Sequence, residues 1–267
     1  MSVAPEVRRS SMVRSRPAEV TAVHTRLMRC TLAVDDCATY WQKADLAVSP
    51  SERAKVAFER RWFGTKSEAR LRTIMTDMLE RFDAFPEAFE LLRRLGAVPV
   101  RLRPWICHIH TQLADPIYRR FTGELLPTRR EQGYDAVDRT IVARWLEELE
   151  PGRWGAASRT KFASNLLTTA AEAGLVAGRR DPRKLALPAP PDVMLGYALY
   201  LLRGVSFEGS LTDNPYVRSL GPTPETFRAF APRIPGVHYA ELGGVGELGF
   251  DSADLLSWGL ATIGGPS

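Results

Sequence analysis

Residues 135–187 read DAVDRTIVARWLEELEPGRWGAASRTKFASNLLTTAAEAGLVAGRRDPRKLAL. Over 135–149 the apolar side chains Ile141, Val142, Trp145, Leu146 and Leu149 recur at helical spacing, and Pro151-Gly152 stops that helix. A second helix, capped by Ser158, is predicted to reach Ala173, to bury Phe162, Ala163, Leu166, Leu167 and Ala170, and to end at Gly174. Two short apolar pieces follow, Leu175-Val176 and Leu185-Ala186-Leu187, on either side of the polar turn 177–184. Helix, connection, helix and two-stranded wing is the order of a winged helix-turn-helix, whose second helix enters the major groove. The connection 150–157 is longer than the three or four residues of a compact helix-turn-helix. Trp154 is the side chain expected to fold it back.

The chemistry of this stretch suits a polyanion. Ser158, Arg159, Thr160 and Lys161 open the second helix, Asn165 follows one turn later, and Arg153 sits in the connection. Arginine can read guanine through two parallel hydrogen bonds, asparagine can read adenine, and serine or threonine can hold a phosphate. At the wing tip Arg179, Arg180, Arg183 and Lys184 are expected to meet the DNA backbone. The plainer alternative is an amphipathic helix pair with solvated arginines. Binding through phosphates predicts an affinity that falls steeply with salt. Arg159→Ala or Lys161→Ala is expected to weaken binding and leave the fold intact.

Upstream, 51–63 is a predicted helix entered through Ser49 or Ser51, and Gly64 stops it. Thr65 or Ser67 caps the next helix, which puts Leu71, Ile74, Met75, Met78, Leu79 and Phe82 on one face. Arg60, Arg61, Lys66, Arg70 and Arg72 surround the Gly64 turn. They form a second candidate nucleic-acid face, a docking surface for an acidic partner, or a solvated corner. A helix over 86–95 ends at Gly96, and further helices are predicted over 20–43, 105–121, 192–203 and 251–262. Strands 237–241 and 247–250 flank the glycine-rich turn 242–246. The fold class is mainly α: a helical bundle with helix-turn-helix or winged-helix-like elements and small β-hairpins. Three regions are expected: a flexible basic arm, 1–18; a helical domain, 19–133; and a winged-helix-like domain with hairpin and final helix, 134–267.

The net charge of +5 hides a sharp segregation. Residues 1–30 carry six Arg against two Glu, 52–72 seven cations against three Glu, and 151–184 seven against two acids, so the rest of the chain carries −8. Such clustering concentrates positive potential on particular faces. Three cysteines, Cys30, Cys37 and Cys107, are too few for a disulfide framework and fit a reducing cytoplasm. No signal peptide is expected, and the longest apolar run, 193–202, is half of what a bilayer needs. Cys107-His108-Ile109-His110 is at most half of a metal site and Asp35-Asp36 diverge on a helix. Gly243-Gly244-Val245-Gly246 lacks the Lys and Ser/Thr of a phosphate loop. No catalytic residue, metal, cofactor or small-molecule substrate is expected.

Five colinear stretches resemble the BrxA family of the BREX anti-phage defence system. They are SERAKVAFERRWFGTKSEARLRTIMTDMLERFDAFPEAFELLR (51–93), WGAASRTKFASNLLTTAAEAGLV (154–176), PPDVMLGYALYLLR (190–203), DNPYVRSLG (213–221) and GVHYAELGGVGELGFDSADLLSW (236–258). The resemblance implies a largely helical accessory protein that binds double-stranded DNA without cutting or modifying it. It also implies work beside other BREX proteins, among them a methyltransferase, a large ATPase and a phosphatase-like component. The alternative is an adaptor that joins BREX proteins without touching DNA. RNA binding and an uncharacterised nuclease rank below both.

Overall fold

Moderate helical periodicity over 20–43 becomes two different things in the folded chain. In the computed structural model, which describes residues 16–242 and 245–264, residues 16–33 form an irregular strap with one 3-10 turn at Arg26–Met28. Ala33, at φ 52°, redirects the backbone, and helix α1 (Val34–Lys43) starts only after it. The strap outcompetes a helix because donors elsewhere in the fold reach its carbonyls, which would otherwise be orphaned. Most of the expected basic arm, residues 1–15, lies outside the described residues. Its last residues are tied down: Ser206 N–H donates to Pro17 O at 2.7 Å and Glu19 N–H to Ser206 O at 3.0 Å.

Helix α2 (Pro50–Glu59) is capped by Ser49, not Ser51, and a turn with Arg61 and Gly64 at positive φ leads to Ser67, which caps α3 (Glu68–Met78). Leu71, Ile74, Met75, Met78 and Phe82 are buried as their spacing requires, and Leu79 is half-buried. A wide turn, Leu79–Asp83, carries α3 towards α4 (Pro86–Leu95), which Gly96 ends. The single helix expected over 105–121 is broken. Asp115 accepts from Ile117 N and Tyr118 N ahead of Pro116, separating α5 (Arg103–Ala114) from α6 (Pro116–Arg120). A second wide turn, Phe121–Leu125, and α7 (Leu126–Glu131) follow.

The expected helix over 135–149 begins instead as a strand. β1 (Ala136–Val137) precedes α8 (Arg139–Leu149), which Asp138 caps. Then come α9 (Ala156–Glu172), β2 (Val176–Ala177) and β3 (Arg183–Leu185), forming an antiparallel sheet of order β1-β3-β2. Helices α10 (Asp192–Arg203), α11 (Pro215–Ser219) and α12 (Phe227–Phe230) lead to the hairpin β4 (Val237–Leu242) and β5 (Val245–Phe250). α13 (Leu255–Thr262) starts after the cap Asp254, later than the expected start at 251. The structure is mainly helical, with two small antiparallel sheets. Among the described residues no helix is long and apolar enough to cross a membrane.

The buried apolar residues form one cluster from Leu27 to Trp258, continuous across the expected boundary at 133/134. α13 packs back on α4, where Gly259 lies flat against Leu91 and leaves no room for a β-carbon, and Trp258 stacks on Tyr200 at 4.9 Å. The two buried histidines are paired, whereas the buried Trp41 Nε1 has no partner among the described residues. His108 bonds Tyr118 Oη and Ser219 Oγ, both at 2.9 Å. His110 Nδ1 donates to Arg81 O at 2.6 Å, and Tyr197 Oη donates to its Nε2 at 2.8 Å. Both histidines of the Cys107–His110 stretch are therefore hydrogen-bonded core residues.

Burial pushes His108 down to about 3 and His110 down to about 4. The unfolded chain protonates them near 6.5, so below that pH it takes up protons that the fold refuses. Stability is then full above pH 6.5 and is expected to fall by roughly 1.4 kcal/mol per pH unit for each histidine as acid is added. Asp77 and Asp115, both raised mainly by burial, regain part of this at lower pH. Urea unfolding at pH 7.5, 6 and 5 measures the net slope, and a flat profile would contradict the neutral buried imidazoles.

Candidate nucleic-acid interface

The helix pair α8–α9 is held by Val142 and Leu146 on one side and Phe162, Ala163, Leu166, Leu167 and Ala170 on the other. Trp154, buried in the connection, folds it back by packing edge-on against Phe162 at 5.4 Å. The chain enters α9 through Gly155, which is extended at φ −64° and ψ 159°, so Ser158 lies exposed inside the first turn and is not the cap. With no side-chain cap, the first-turn N–H groups are open to an anion. In the wing, β3 alternates: Arg183 and Leu185 point inward and Lys184 outward. α7 anchors the strands, because Arg129 donates to Ala136 O at 3.0 Å and Arg130 to Leu175 O at 3.1 Å.

The cations predicted from the sequence divide into two groups. Lys161, Arg179, Arg180 and Lys184 are exposed and make no ion pair or hydrogen bond with the described residues. Ser158 and Thr160 are exposed too, though Thr160 Oγ1 donates to Ala156 O. The rest are committed internally. Arg159 Nη1 lies 2.5 Å from both Glu147 Oε2 and Trp154 O, so Arg159→Ala removes a clasp of the connection and is expected to lower stability. Arg153 pairs with Glu150 at 3.0 Å and donates to Val23 O at 2.9 Å. Asn165 donates its amide to Leu27 O at 3.0 Å, which takes it away from an adenine edge. Arg183 is buried, not at the wing tip. It lies 3.6 Å from Asp181 and 3.4 Å from Thr168 Oγ1.

The second candidate face divides in the same way. Arg60 and Arg61 are exposed and unpaired among the described residues, and Phe58 beside them is 44% exposed. Lys66 is taken by Asp36 at 3.2 Å and Phe63 O at 2.6 Å, and Arg70 donates to Arg29 O. Thus Arg153, Asn165 and Arg70 all bond strap carbonyls. Arg119 adds a bond to Val20 O, and the buried Arg81 bonds Thr31 O and Leu32 O.

The strap accounts for what the sequence alone missed. Along it, Val23, Leu27 and Leu32 meet Arg153, Asn165 and Glu172 in that order, so it runs beside α9 in the same direction. The wing approaches α9 along a different line, at Thr168 and Ala171, across a groove of about 670 Å³ lined also by Glu172, Gly178 and Arg179. On the same stripe of α9 as Thr168 and Ala171, nearer its N-terminus, the outward positions Ala157, Thr160, Lys161 and Ser164 carry small or cationic side chains. Arg29 on the strap and Arg144 on α8 are exposed and unpaired among the described residues, and neither was predicted. Compared with protein-family models and with curated proteins, the chain gives no match in either.

Proposed function

We propose that the chain binds double-stranded DNA as a winged helix, with α9 in the major groove and the β2–β3 tip on the backbone. One observation carries this reading. Lys161, Arg179, Arg180 and Lys184, exposed and with side chains unpaired among the described residues, sit on the outward side of α9 and on the wing that follows it. Support also comes from the element order β1-α8-α9-β2-β3 with its β1-β3-β2 sheet, which is that of winged helix-turn-helix modules. The base edges facing this helix would meet mostly Thr160, Ser164 and Lys161, since Arg159 and Asn165 are committed internally. Contacts are therefore dominated by phosphate, with limited base specificity. The resemblance to BrxA proteins would imply an accessory, non-catalytic role beside other BREX proteins.

The test is a fluorescent-duplex titration from 50 to 200 mM salt. Four phosphate contacts predict a slope of log K against log salt of about −3.6. No duplex affinity at 50 mM salt would end the proposal. The adaptor reading keeps the Arg60–Arg61 corner, where the exposed Phe58 adjoins two unpaired guanidinium groups. It predicts that BREX proteins are retained from nuclease-treated lysate and lost on Phe58→Ala with Arg60→Ala.

A further inference from the structure

We propose that the strap forms a second phosphate-binding flank, with Arg26, Arg29 and Arg72 gripping a strand that passes the Asn165 edge of α9. The inference rests on the duplex-binding reading above. Its site is a cleft of about 220 Å³ lined by Arg26, Arg29, Cys30, Arg72, Thr73, Thr76 and Asp77. At about 30 Å³ per water molecule the cleft has room for a phosphodiester group.

Three features make the cleft anion-binding. Arg29 is exposed and unpaired among the described residues. Arg26 and Arg72 each hold one carboxylate, Glu80 at 3.0 Å and Glu68 at 2.6 Å, and keep further N–H donors of the five each guanidinium carries. The floor adds little opposing charge. Cys30 is buried with its thiol pushed up to about 12 by desolvation, and Asp77 is spent on Arg81 at 2.7 Å.

Its position is set by the strap. Leu27, whose carbonyl Asn165 holds, lies two residues before Arg29, at most about 7 Å of chain away. Arg70, one turn into α3, holds Arg29 O itself. The cleft therefore borders the Asn165 edge of α9, while the wing covers the C-terminal end of the outward face at Thr168 and Ala171, next to Glu172, which the strap also holds. A helix seated in a major groove has a backbone on each side, and the cleft is placed to meet the one that passes the Asn165 edge. This also joins the two basic clusters of the sequence, 52–72 and 151–184, through the strap between them.

The experiment compares wild type with Arg29→Ala/Arg72→Ala by duplex titration across the same salt series, with phosphate-ethylation interference on both strands. Loss of two contacts is expected to lower affinity by about tenfold to a hundredfold at 0.1 M salt and to flatten the slope by about 1.8. The thermal midpoint should hold, because both side chains are exposed. Interference should disappear at the phosphates beside the strap and persist at those that the wing holds. If wild type binds and the variant matches it in affinity, slope and interference, the strap flank is refuted while duplex binding stands. If wild type does not bind, both fall.

Discussion

Arg81→Leu is expected to destabilise the protein by about 3–5 kcal/mol, the cost of removing one partner from a buried ion pair. Its guanidinium is about 1% exposed, pairs with buried Asp77 at 2.7 Å, and donates to Thr31 O and Leu32 O at 2.8 and 2.9 Å. Leucine leaves a carboxylate without its cation and two carbonyls without those donors. Urea unfolding at pH 7 measures the loss. Pairing the change with Asp77→Leu should recover part of it, since no buried charge is then left alone. The strap should also loosen, so that Cys30, now 2% exposed, reacts with a thiol reagent faster than in wild type. A loss below about 1 kcal/mol would mean that water already compensates the pair.

The second large effect concerns affinity. Replacing Lys161, Arg179, Arg180 and Lys184 together by alanine is expected to weaken duplex binding by roughly a thousandfold at 0.1 M salt. The same change should flatten the salt slope by about 3.6. None of the four side chains bonds the described residues, so the thermal midpoint should stay where it is. Arg153→Ala, Arg159→Ala and Asn165→Ala should do the reverse, lowering the midpoint by about 2–4 °C per kcal/mol lost while the slope changes little. If the clasp variants flatten the slope and the quadruple variant does not, α9 and the wing are not the surface that meets phosphate.

Legibility in the sequence followed the range of the forces involved. α4 and α10 have the bounds their patterns require because proline, glycine and helical spacing act locally: Pro86 opens α4, Gly96 ends it, and Pro190-Pro191 precedes α10. β1 was missed because two residues cannot display a period of two. The strap was missed for a different reason. Its conformation is stabilised by Asn165, Arg119 and Arg153, which lie 138, 99 and 130 positions from the carbonyls they hold. Arg159 and Arg183 looked like surface cations because nothing near them in the sequence announces Glu147 or Asp181 as partners. Arg81 left a fainter clue, an Asp and an Arg at i, i+4 beside an apolar stripe.

That strap also orders events in time. Glu19 accepts from the backbone of Glu208, 189 positions later, so at 5–20 residues per second about 10–40 s of synthesis separate the two. Until then the earliest part of the described chain has few of its eventual partners, while the helical corner at 50–95 can already close on local contacts. These strap residues therefore wait through most of the described chain's synthesis before the Ser206–Glu208 segment can secure them.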